Sequence, residues 1–200
     1  MQLIKELLLK ATGLVAVLTL LCGVLYPLVV TGLSQSCFPE KANGSIIEVA
    51  GQTYGSALLG QQFQAEDYLW GRPMKVDATT FKNAAGQPVM YAVPFNLSPA
   101  GAEFEQLVQA RVQQLRTANP QGTGVSVPVD LVTGSGSGLD PQISVAAAEY
   151  QVPRLAKAHH CEPAVIRQIL REATTPRLLG VVGEPVVNVL QVNLRLAQLL

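Results

Sequence analysis

From Ala11 to Leu33 the chain reads ATGLVAVLTLLCGVLYPLVVTGL, without a single charge. At a rise of ~1.5 Å per residue, a helix of this length spans roughly 35 Å, enough to cross a hydrocarbon core of about 30 Å. Gly13, Gly23 and Pro27 lie inside it, where neighbouring helices can satisfy freed backbone groups. A cleaved export signal has an apolar region of only ~7–15 residues, and Gln35 and Ser36 precede Cys37 where a lipoprotein would carry small apolar residues. The segment therefore reads as a retained anchor. Lys5 and Lys10 precede it, partly offset by Glu6, while Glu40 and Lys41 cancel each other beyond it. The positive flank stays inside, which places residues 1–10 in the cytoplasm, 11–33 across the membrane and 34–200 outside the cytoplasm.

The remainder has the composition of one domain. Of 200 residues 48% are hydrophobic and 14% charged, with 14 basic against 14 acidic side chains. Setting aside Lys5, Lys10 and Glu6 leaves a charge of about −1 on the outer part, which lacks the basic footprint of a nucleic-acid partner. Cys22 falls in the span, whereas Cys37 and Cys161 lie outside, where a disulfide is chemically permitted but not established by spacing.

Periodicity predicts a mixed α+β domain assembled from distant segments. A short strand is expected at Ile46–Val49 between turns. Val125, Val127, Val129 and Leu131 alternate with polar residues and Pro128, the pattern of an edge strand. The run from Val186 to Leu196 alternates with a parity change at Leu190-Gln191, expected to be a bulge. One helix is expected over Ala102–Ala118, with Phe104, Leu107, Val108, Val112 and Leu115 on one face, and another from Pro163 to about Ala173. Ser144 is placed to cap a helix through Tyr150, which Pro153 interrupts before Arg154–Ala158.

Chemistry-bearing patterns are sparse. Gly134-Ser-Gly-Ser-Gly138 follows an expected strand and precedes a helix, yet no lysine follows it, and Leu139 stands where a dinucleotide loop has its last glycine. A structural turn is the better local reading. His159-His160-Cys161 offers metal-ligand types, but adjacent residues do not converge on one ion and no second pair stands at ligand spacing, so no metal is expected. Ser135 lacks the frame of a hydrolase nucleophile, and no catalytic residue is assigned. Tyr68, Trp70 and Arg72 form the densest recognition cluster, readable as an interface anchor or as a core aromatic with a structural arginine. Gly183-Glu184-Pro185 reads as a turn.

Several stretches together resemble one family. Gly55-Ser-Ala-Leu-Leu-Gly60-Gln-Gln-Phe63, Trp70-Gly-Arg-Pro73, Val127 through Pro141, Ala146 through Arg154 and Gly183 through Leu190 are similar to the C subunit of the bacterial Kdp potassium-transporting P-type ATPase. The resemblance covers nearly the whole chain in order. It departs at Tyr91–Gly101, where the family has a Ser/Gly/Asn-rich stretch and this chain keeps only Asn96-Leu97 and Pro99.

The resemblance implies a non-catalytic accessory subunit of an ATP-driven potassium importer in the bacterial inner membrane. Its implied partners are a channel-like potassium-binding subunit, a P-type ATP-hydrolysing subunit and a small stabilising subunit. It further implies a catalytic-chaperone role promoting ATP binding by the P-type subunit. The glutamine and loop linked to that role in the family correspond to Gln151 with Ser135, Gly136, Ser137 and Gly138. No independently bound cofactor is implied; ATP enters through the P-type subunit or, in the alternative, through direct contact with Gln151 and the loop. The lysine flanks place that loop outside the cytoplasm, away from the nucleotide pool, although linkage through two states requires no direct contact.

Overall fold

A computed structural model describes residues 1–122 and 124–198. The chain separates into two compact units, Met1–Ile46 and Ile47–Leu200. The first is dominated by one helical rod, Gln2–Cys37, long and apolar enough to cross a membrane. It consists of α1 (Gln2–Leu18), a π-helical stretch (Thr19–Leu25) and α2 (Tyr26–Cys37). Pro27 explains the middle. Its nitrogen carries no hydrogen for the Gly23 carbonyl, and its ring crowds that carbonyl. Winding the preceding turn more widely, with the Tyr26 N–H donating to the Leu21 carbonyl, carries the helix past the proline without ending it.

The rod's large apolar side chains are exposed along its length, as suits a helix whose solvent is lipid or protein rather than its own core. Beyond Phe38 the short α3 (Pro39–Ala42) follows. Gln35 and Asn43 then exchange two side-chain amide hydrogen bonds of 3.2 Å, fixing the end of the rod to the next turn.

The second unit is α+β. β1 (Ile46–Val49), at its expected place, pairs with β2 (Gln52–Ser56). Ala50 and Gly51 join them at φ +51° and +79°, the positive pair that a two-residue hairpin requires. The sequence reading did not anticipate the next ribbon, β3 (Lys75–Lys82) antiparallel to β4 (Pro88–Val93), with an irregularity between Asp77 and Phe81. There the Asp77 carboxylate accepts from the N–H and hydroxyl groups of Thr79 and Thr80. These bonds, the Thr79 N–H foremost, hold its carboxyl well below the usual range.

In the third sheet β7 (Val186–Asn188) runs between β5 (Gln142–Ser144) and β6 (Thr174–Thr175), antiparallel to both. Val187, opposite Ile143 and Thr174, is fully buried. The core of this unit gathers Leu131, Ile143, Leu155, Ile166, Val187 and Val192. Each such side chain contributes roughly 1.5–3 kcal/mol by leaving water. α4 (Ala102–Ala118) and α7 (Pro163–Glu172) match their expected ranges. Ser144 caps α5 (Val145–Tyr150) by accepting the Ala147 N–H at 3.0 Å, and Pro153 sits in the first turn of α6 (Val152–Ala158).

Two strand expectations are corrected. Across Val125–Leu131 there is no strand: Val125 and Val129 are exposed while Leu131 is buried, so the alternation does not define one face. Pro128 offers no ladder donor, and Val129–Leu131 turns as a 3-10 helix. The Asp130 carboxylate accepts from the Ser144 N–H at 2.6 Å and its hydroxyl at 3.2 Å, tying the turn to the start of α5. Across Val186–Leu196 the strand ends after three residues, where Asn188 caps α8 (Val189–Leu196) by accepting the Gln191 N–H at 3.0 Å. The parity change is the onset of helical periodicity, and Asn188 with Gln191 three residues on has the spacing of a capping box.

Candidate functional site

The expected recognition cluster lies in an irregular segment with neither helix nor strand between β2 and β3. Where it is buried, at Leu69 and Trp70, such a backbone must find hydrogen-bond partners elsewhere. Here side chains supply them. The carbonyls of Ala65, Glu66, Asp67, Tyr68, Leu69, Trp70 and Gly71 accept in turn from Trp70 Nε1, Arg154 Nη1, His159 Nε2, Arg154 Nη2, Asn193 Nδ2, Gln151 Nε2 and Arg111 Nη2. Bonding to a carbonyl makes His159 Nε2 a donor.

Two amides grip adjacent residues as a neighbouring strand would. Asn193 accepts the Leu69 N–H at 2.7 Å and donates to its carbonyl at 3.1 Å. Gln151, at the junction of α5 and α6, accepts the Trp70 N–H at 2.8 Å and donates to its carbonyl at 2.9 Å. It also donates to the Ala147 carbonyl at 3.2 Å and accepts from Arg154 Nη2 at 2.7 Å. Both amide hydrogens and two acceptor positions are therefore used, and Gln151 is 1% exposed. In this conformation it offers no free donor to a nucleotide.

The same grip turns the expected interface residues inward. Trp70 is 3% exposed, with the guanidinium groups of Arg154 and Arg111 4.5 and 5.4 Å from its ring centre, within the range of a cation–π contact. Burial lowers the Arg154 pKa to about 10, opposed by the Glu66 and Asp67 carboxylates, so the side chain stays cationic at neutral pH. Burial likewise lowers that of Arg111. Arg72 donates to the Gly134 carbonyl at 3.0 Å and the Thr133 carbonyl at 3.3 Å, and pairs with Asp140 at 3.4 Å. Tyr68 is half-buried, its ring 5.2 Å from that of Phe63. Trp70 and Arg72 make these contacts within the chain, while Tyr68 and Arg72 stay partly exposed.

Arg72 thus joins the segment to the Gly/Ser loop, which is packed rather than open. A Cβ on Gly134 would fall 2.0 Å from Phe95 Cδ2, and one on Gly138, at φ +72°, would fall 2.6 Å from the Val93 carbonyl oxygen. The Tyr91–Gly101 stretch is therefore the wall against which the loop sits. Ser135 and Ser137 bond the loop's own backbone, their hydroxyls accepting the Gly138 N–H at 2.8 Å and the Leu139 N–H at 3.1 Å. At Gly136 a Cβ would meet nothing.

A cleft beside the loop has about 190 Å³ and is lined by Pro94, Phe95, Phe104, Leu107, Thr133 and Gly136 among others, with no cationic side chain. Ligand pockets of roughly 300–1,000 Å³ are usual, and a triphosphate needs positive charge. Among the described residues no cluster of three His, Cys, Asp or Glu is placed to hold a metal ion. Cys37 and Cys161 are free thiols. The side-chain grip on residues 65–71 escaped the sequence reading, because its partners lie on three separate segments around Arg111, Gln151–His159 and Asn193; Asn193 alone carried a local signal, a polar residue within an apolar helix.

A helix long and apolar enough to cross a membrane thus precedes an α+β unit braced by buried amides and arginines. The family profile described as KdpC, the c chain of the K+-transporting ATPase, matches residues 8–198. A protein named potassium-transporting ATPase KdpC subunit from Clostridium perfringens is 53% identical over 187 residues, 94% of each chain. Its namesakes from Clostridium botulinum and Ralstonia nicotianae are 50% and 46% identical over 92% and 91% of this chain and 92% and 86% of their own. The chain belongs to the KdpC family of subunits of the potassium-transporting ATPase.

Proposed function

We propose that the chain is a non-catalytic accessory subunit of the potassium-importing complex, acting by docking and coupling rather than by chemistry of its own. Its second unit sits outside the cytoplasm on the mouth of the channel-like subunit. There it stabilises the assembly and, through the conformational equilibrium of the whole pump, favours ATP binding by the P-type subunit. A ligand on one side of the membrane can change affinity on the other wherever both bias the same two states. Supporting this reading is the saturation of Gln151: the residue linked to nucleotide affinity has all its amide hydrogens engaged with the backbone of Trp70 and Ala147. A change there acts on the shape of the subunit.

The competing reading, direct nucleotide contact by Gln151 and the Ser135–Gly138 loop, requires both the grip on Trp70 to open and the loop to face the cytoplasm. A Ser137→Cys substitution in a chain otherwise lacking cysteine tests the second requirement, since Ser137 is exposed. In intact cells a membrane-impermeant maleimide is expected to label it from outside. Labelling only after permeabilisation would overturn the docking reading and restore the nucleotide one.

A further inference from the structure

Where the rod hands over to β1, the chain carries its only Asn-Gly pair, Asn43-Gly44. A glycine after asparagine leaves the following backbone nitrogen unshielded by a Cβ, so that nitrogen can attack the asparagine carboxamide. The turn itself demands this glycine. α3 ends in a Schellman motif with Gly44 at φ +91°. The Gly44 N–H donates to the Lys41 carbonyl at 3.1 Å and the Ser45 N–H to the Glu40 carbonyl at 2.9 Å. Local structure therefore imposes a chemically labile pair.

Several features hold the reaction off. Closing the five-membered ring brings Asn43 Cβ and the Gly44 nitrogen to the same side of the Cα–C bond, whereas the observed ψ of 16° splays them apart. The Gly44 N–H, whose proton must leave, is bonded to Lys41. The leaving nitrogen, Asn43 Nδ2, donates to the Pro39 carbonyl at 2.8 Å and to Gln35 Oε1 at 3.2 Å, while Gln35 Nε2 donates to Asn43 Oδ1 at 3.2 Å. Gln35 reaches the carboxamide from the rod, the others from α3. Asn43 and Gln35 are both exposed, and α3 has only four residues. A helix so short has little stability of its own, so local opening of the turn governs the reaction.

We infer that Asn43 is a deamidation site guarded by Gln35, with water as the co-reactant. The Gly44 nitrogen, on losing its proton to solvent base, forms a bond to Asn43 Cγ. The Cγ–Nδ2 bond breaks, and Nδ2 takes up a proton and departs as ammonia. Water then opens the succinimide at either carbonyl, giving aspartate or isoaspartate; nothing is oxidised or reduced. Either product replaces an amide donor by a carboxylate, which faces the Pro39 carbonyl and Gln35 Oε1 with no hydrogen to give. A reacted chain cannot rebuild the parent turn between rod and β1.

The test incubates the full chain in lipid nanodiscs at mildly alkaline pH and reads position 43 by peptide mass spectrometry with isoaspartate-specific methylation. The parent is expected to react far more slowly folded than denatured in guanidinium. Gln35→Ala is expected to raise the folded-state rate on the order of 5-fold, as loss of about one net hydrogen bond implies. Gln35→Glu, which keeps an acceptor for Nδ2, is expected to raise it less. Helical content by circular dichroism is expected to match the parent in both variants. Equal rates in the parent and Gln35→Ala, or a faster rate accompanied by lost helical content, would overturn the guard. A parent that reacts as fast folded as denatured, or no product at position 43 even when denatured, would overturn the inference as a whole.

Discussion

Replacing Gln151 with alanine is expected to destabilise the second unit severely, before any effect on nucleotide affinity is considered. The substitution strips the Trp70 N–H and carbonyl of their partners in a buried setting and removes an acceptor from Arg154. Each orphaned buried group costs about 1–3 kcal/mol, so a loss of about 4 kcal/mol is expected, lowering the melting temperature by about 10 °C for a domain of this size. Gln151→Glu separates size from chemistry. Its carboxylate can still pair with Arg154 but would face the Trp70 and Ala147 carbonyls without a hydrogen to give. Those contacts raise the carboxyl pKa above its unfolded value, so this variant is expected to regain stability as pH falls and protonation restores a donor. Thermal melts followed by tryptophan emission measure both. A Gln151→Ala chain as stable as the parent would show that the amide is not a strut.

Within the Gly/Ser loop, two glycines two residues apart on either side of Ser137 should behave oppositely. Gly138→Ala forces a Cβ against the Val93 carbonyl in a backbone conformation that disfavours it, and overpacking with such strain costs about 3 kcal/mol. Gly136→Ala meets open space and should stay within about 0.5 kcal/mol of the parent. Denaturant unfolding of the two variants checks this. A flexible cradle for phosphate would tolerate alanine at Gly138 in the empty chain; a packed turn would not.

The long apolar helix and the other long helices were legible in the sequence because each is encoded locally. The uncharged run Ala11–Leu33 fixes the middle of the rod, which continues to Gln2 and Cys37 on either side, and apolar spacing with Pro163 or Ser144 at the start fixes α7 and α5. The two failed strands share one cause: a period-2 pattern of only a few residues is outweighed by one polar side chain that ties down the start of a helix. Asp130 reaches Ser144, and Asn188 turns its strand into a helix.

The internal contacts of the candidate site were illegible for a related reason. Residue types at Tyr68, Trp70, Arg72 and Gln151 suit recognition and internal bracing equally well. The bracing depends on the three-dimensional placement of Asn193, Arg154, Arg111 and His159 around residues 65–71.

Trp70 is the only tryptophan in the chain, and its backbone is held by the very side chain assigned to nucleotide contact. Titrating ATP into the full-length chain in lipid nanodiscs, alone, while recording its emission therefore tests the central claim directly. The expected result is a blue-shifted emission, set by burial against Arg111 and Arg154, that does not change up to millimolar ATP. A saturable shift with ATP, lost when Gln151 is substituted in a chain that remains folded, would contradict it.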